Sequence, residues 1–118
     1  MCIRDSKTAS ADHRLRLRLA VHMGLLHVDS GGWTGQPLVL CARLLDAAPV
    51  RSTLAAADRA DLVLVVSEAI YDGLVAPGFG LDRASYARVA IVEKETTTTA
   101  WIHVPGYEHP PVPAAHRA

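Results

Sequence analysis

The chain has 118 residues, with 12 basic and 12 acidic side chains giving a formal net charge of zero, and 50% of its residues are hydrophobic. That balance leaves no electrostatic footprint for nucleic acid or an anionic membrane surface, and an ordinary charged content of 20% fits a core-forming chain rather than a disordered one. No apolar run approaches the ~18 residues of a membrane span, so the expectation is a cytoplasmic domain, or part of one, with no membrane segment.

Residues 1–6, Met-Cys-Ile-Arg-Asp-Ser, read as a translated sequencing-library adapter and are expected to lie outside the fold. Setting Cys2 aside leaves Cys41 as the remaining cysteine, so no intramolecular disulfide is expected. Residues 14–23 then alternate. Leu15, Leu17, Leu19, Val21 and Met23 share one side, and Arg14, Arg16, Arg18, Ala20 and His22 share the other, the pattern of a strand with one buried face. Gly24 permits a tight turn or a close backbone approach, and a short strand over 25–28 is expected after it.

A helix is expected over 35–48, because Leu38, Cys41, Ala42, Leu44 and Leu45 recur at helical spacing and Pro37 suits a first turn. Pro49 restarts a second helix over 49–60 that turns Arg51, Asp58 and Arg59 to water. Residues 61–66 form a continuous apolar, β-branched run, as in a strand buried on both faces. Ser67 reads as the N-cap of a helix to about residue 75, and Glu68 suits its positive first turn. Pro77, Gly78 and Gly80 mark a loop over 76–81. A second alternating strand, 86–93, is expected to pair with 100–104 across a polar turn at 96–99. The proline-rich residues 106–118 read as a flexible tail. The element order gives an α/β fold.

Two segments carry a resemblance: Arg18-Leu-Ala-Val-His-Met-Gly24, and the helix from Gly35 through Val39 to Arg43. They resemble the second half of the class III adenylyl and guanylyl cyclase domain, which has a strand of the type Arg-x-Gly-x-His-x-Gly followed by a glycine-opened helix. That helix bears an asparagine and, four residues on, an arginine. The resemblance implies a ferredoxin-like fold with a mainly antiparallel central sheet, spanning 7–105. It implies that Arg43 stabilises charge on the transferred phosphoryl group. The ribose-orienting asparagine corresponds to Val39, the purine-selecting aspartate to Gly32, and a phosphate-contacting lysine of the closing hairpin to Lys94. Valine offers no hydrogen bond, and losing one well-placed transition-state donor costs ~10²–10³ in rate. The implied protein is therefore a degenerate cyclase-like signalling domain, with an active purine nucleotidyl cyclase as the alternative.

The implied partners are a purine nucleoside triphosphate and a second copy of the domain in a homodimer. An active parent would take Mg²⁺ or Mn²⁺ on a pair of aspartates that the family carries in its first half, so no cofactor is assigned within this stretch. His22 and His27 flank Gly24 without a third convergent ligand. His22 reads as a hydrogen-bonded histidine beside the turn.

Overall fold

A computed structural model of the chain describes residues 1–5, 15–24, 27–29, 32–34, 36–94 and 96–118. In chain order the elements are strands β1 (Cys2–Asp5), β2 (Leu17–Val21), β3 (His27–Asp29) and β4 (Gly32–Thr34), helices α1 (Gln36–Asp46) and α2 (Ala48–Ala56), and strand β5 (Leu62–Ser67). A short helix α3 (Glu68–Ile70) continues into a π-helical turn, Tyr71–Val75, and strands β6 (Tyr86–Glu93) and β7 (Thr96–His103) close the sheet. Five strands form one sheet in the order β1-β2-β5-β7-β6, while β3 and β4 pair as a separate hairpin. Only β2 and β5 are parallel within the large sheet; its other pairings are antiparallel. The fold is therefore α/β with a mixed, mainly antiparallel sheet.

The parallel pair follows from the intervening chain. A hairpin turn cannot join parallel neighbours, and here α1 and α2 make the crossover over one face of the sheet. Leu44, Val50, Val63, Val65, Val89, Ile91 and Ile102 are fully buried between the helices and that face. Strand β2 keeps the expected alternation, and its arginine side is the one turned to the helices. Arg16 and Arg18 are 7% and 9% exposed and Ala20 is buried, whereas Leu17, Leu19 and Val21 are half-buried on the opposite face. Two interactions make this tolerable. Arg16 donates from Nε to Ala60 O at 3.1 Å and from Nη2 to Leu54 O and Ala57 O at 2.5 and 2.7 Å. Arg18 Nη2 lies 3.8 Å from Asp46 Oδ1. The carbonyls that Arg16 takes cluster where α2 ends, at Ala56 rather than at the expected residue 60, and in the turn that follows it.

Other expectations shift by a residue or two. The β6–β7 turn is tighter than expected, with Glu93 opposite Thr96, so Thr96 to Thr99 belong to β7 instead of a loop. Lys94 in this turn has φ of 53°, a left-handed conformation. Strand β5 is buried on the helix face, but Leu62 and Leu64 on the other face are only half-buried. Ser67 caps α3 as expected, its Oγ accepting from Ile70 N at 3.4 Å. The backbone then widens into a π turn, with Ala76 N donating to Tyr71 O at 2.8 Å.

Residues 1–5 contribute the edge strand β1. Its register sets Cys2 opposite Ala20, and Cys41 Sγ lies 3.7 Å from Ala20 O, so the two cysteines meet above one residue and form a disulfide. This corrects the expectation of no intramolecular disulfide, which depended on leaving Cys2 out of the fold. Residues 106–118, expected as a flexible tail, pack on the domain. Val112 is 5% exposed within the core, Arg117 bridges to Val89, and Ala118 N donates to Arg88 O at 3.1 Å. Arg117 also donates from Nε to Val112 O and from Nη2 to Pro110 O, fixing the turn that buries Val112. Among the described residues no helix is long and apolar enough to cross a membrane. Gly35 and Arg14, named in the sequence reading, lie outside the described residues.

Candidate functional site

The parallel pairing of β2 with β5 sets Val21 beside Val66, so the next residue of each strand, His22 and Ser67, come together at the strands' C-terminal ends. Crevices at the carboxyl ends of parallel strands are where open α/β sheets commonly bind ligands. His22 Nδ1 lies 2.7 Å from Ser67 Oγ. That Oγ also accepts from Ile70 N, so Ser67 holds Nδ1 in place and leaves Nε2 as the ring nitrogen open to a ligand. Burial lowers the His22 pKa, with a smaller repulsion from the Met1 ammonium in the same direction, so the ring is neutral at pH 7.

The start of α1 lies against this end of the sheet. A Cβ added to Gly24 would meet the Pro37 side chain, coming within 2.9 Å of its Cβ and closer to its Cγ, so only glycine lets the end of β2 approach the first turn of α1 this closely. Gly24 therefore serves the close approach; it is not one of the glycines at positive φ.

A pocket of about 260 Å³ opens between these elements and the closing hairpin, lined by His22, Pro37, Val39, Leu40 and Thr96. A second, of about 100 Å³, lies between the start of β1 and the first turns of α1, lined by His22, Gly24, Pro37, Leu38, Cys41 and the first two residues. Val39, the position of the family's asparagine, is thus part of a pocket wall and 42% exposed. Arg43, one turn further along α1, is half-buried, is not among the residues lining either pocket, and has a buried Nε with no hydrogen-bond partner. Lys94 is exposed in the turn two residues before Thr96. Gly32 lies on β4 opposite Asp29 in the separate hairpin. The structure therefore brings Val39 and the Lys94 hairpin to one pocket, with Arg43 beyond its rim and Gly32 on another element.

Reading the sequence alone found His22 as a hydrogen-bonded residue but not its partner. Ser67 was visible only as a helix cap, and Thr96 only as part of a turn. The signal that unites them is the parallel register, which depends on contacts distant in sequence. Among the described residues no three His, Cys, Asp or Glu side chains converge as a metal site would require.

A second cluster lies on the opposite face of the sheet. Tyr71 of the π turn stacks on Trp101 with ring centroids 3.6 Å apart and planes 4° from parallel, and Tyr86 stacks on His103 at 4.9 Å. Val66, Ile70 and Val75 bury themselves around the first of these stacks, which gives the cluster a packing role. Compared with known proteins, the chain matches no family model, no curated protein and no solved structure.

Proposed function

We propose that this chain is part of a class III nucleotide cyclase-like signalling domain that has lost catalysis and serves as a dimerising or nucleotide-sensing regulatory module in the cytoplasm. The observation that carries this reading is Val39: the position at which the resemblance expects a ribose-orienting amide is an aliphatic side chain in the wall of a pocket. The order of elements supports it as well. A strand ending in Gly24 is followed by a hairpin, an arginine-bearing helix, a second strand with a serine-capped helix, and a closing hairpin. A purine nucleoside triphosphate would meet Arg43 and Lys94 through its phosphates, and a second copy of the domain would complete the site.

The alternative is an active cyclase that converts a purine nucleoside triphosphate to its 3′,5′-cyclic monophosphate and pyrophosphate, with the metal-binding aspartates supplied from outside these residues. One observation favours it: Arg43 keeps a buried Nε without a partner, a donor that an anionic ligand would satisfy.

The test is calorimetric titration of the chain with ATP and GTP in the presence of Mn²⁺, with product analysis of the same samples. Saturable binding without cyclic nucleotide is expected, weakened about tenfold in Arg43→Ala by loss of a charge-assisted contact. Cyclic nucleotide formation by the chain joined to the stretch that supplies the aspartates transfers it to the alternative. Absence of nucleotide binding, together with a monomer at all concentrations, removes both readings.

A further inference from the structure

The pocket beside Val39 has a lining unsuited to a phosphate. Its walls are Pro37, Val39 and Leu40, its polar groups are the Thr96 hydroxyl and His22, and among the described residues none that lines it is an acid, a lysine or an arginine. His22 is neutral at pH 7 because burial disfavours its charged form. The Ser67 Oγ, itself anchored by Ile70 N, engages His22 Nδ1 and leaves Nε2 as the ring nitrogen that can meet a ligand. Lys94 is exposed and is not among the lining residues.

Size narrows the occupant further. An apolar cavity of roughly 150 Å³ takes up benzene, and pockets for drug-sized ligands begin near 300 Å³. At about 260 Å³, this pocket fits a single substituted ring.

We infer that the pocket formed by His22, Pro37, Val39, Leu40 and Thr96 binds a small uncharged ligand, a monocyclic aromatic ring bearing an acceptor oxygen, which takes its hydrogen bond from His22 Nε2. The inference rests on the lining of the pocket and holds whether or not the chain descends from cyclases.

Two-dimensional amide NMR of the full chain, titrated separately with acetophenone, ethylbenzene and benzoate, tests it. Acetophenone is expected to give saturable shifts at Val39, Leu40 and Thr96, and to bind about fivefold more tightly than ethylbenzene, the worth of one hydrogen bond. Benzoate is expected to bind more weakly than either. Val39→Trp fills the pocket from a position that is 42% exposed and should abolish the shifts. His22→Phe keeps a ring but removes the donor, and should reduce acetophenone to the affinity of ethylbenzene. The proposal is overturned if acetophenone gives no saturable shifts, if it binds Val39→Trp unchanged, or if benzoate binds more tightly than the ketone. Equal affinity of acetophenone for His22→Phe and the parent chain also overturns it, by showing that His22 donates nothing.

Discussion

Arg16 shows how one side chain can reverse a reading of polarity. A strand of alternating leucines and arginines is ordinarily taken to bury its leucines, yet Arg16 is 7% exposed beneath the helices. The reason is the set of acceptors it meets: Leu54 O and Ala57 O at the negative end of α2, and Ala60 O in the turn beyond it. A buried charge is costly without partners, and three hydrogen bonds to a helix terminus supply them. Replacing it by an apolar chain of similar length removes three buried charge-assisted hydrogen bonds, so Arg16→Met is expected to lower unfolding free energy by about 1.5–3 kcal/mol in urea titrations. Arg16→Lys, which lacks the planar fork, should recover only part of that loss. An unchanged denaturation midpoint for Arg16→Met would show that the three bonds add nothing net.

At the scale of elements, the joint between β2 and α1 governs the pocket. Gly24 and Pro37 touch so closely that even a methyl group at position 24 overlaps the proline ring, and a ring cannot rotate away as a longer side chain would. Gly24→Ala is expected to push the first turn of α1 off the sheet, costing about 1–3 kcal/mol by overpacking. In a thermal melt this appears as a lowered midpoint, and in amide NMR as shift changes concentrated at Leu38 to Leu40 and at Thr96. A variant with the parent's stability and spectrum would mean that the two elements do not meet as described. Much of this level was legible in advance: Gly24 as a close-approach residue, Ser67 as a cap and Tyr86–Glu93 as a strand all follow from local chemistry. What was not legible depends on distant partners. The carbonyls that let Arg16 point inward lie 38 to 44 residues away. The Glu93 carboxylate that accepts from Ala48 N, at the start of α2, comes from the closing hairpin. The burial of Val112 depends on a turn pinned by Arg117, so proline content alone suggested a free tail.

The whole molecule is lopsided. One face of the sheet carries α1 and α2 over a continuous core, while among the described residues the other carries α3, the π turn and the aromatic stack. Leu19 and Leu64 sit side by side in register, half-buried, with Leu64 packed at the margin of that cover and Ile3, at 58% exposure, beside Leu19 on β1. The edges differ too: the β6 edge is guarded by the Arg117 bridge, whereas β1 is a short outermost strand. An apolar sheet face of this extent drives association in water, since each fully buried leucine contributes about 1.5–3 kcal/mol. Sedimentation velocity should therefore show concentration-dependent self-association of the chain. Leu19→Lys places a charge in the middle of the uncovered face and is expected to weaken association at least about tenfold, because two leucines are lost per symmetric contact. Its thermal midpoint should stay within a few degrees of the parent's, about what a roughly 1 kcal/mol change produces, because the lysine stem can lie along the face with its ammonium in water. A parent chain that sediments as one monomeric species from micromolar to millimolar concentration would show that the half-buried leucines are covered well enough within the chain itself. The homodimer in the proposed function would then lose its physical basis.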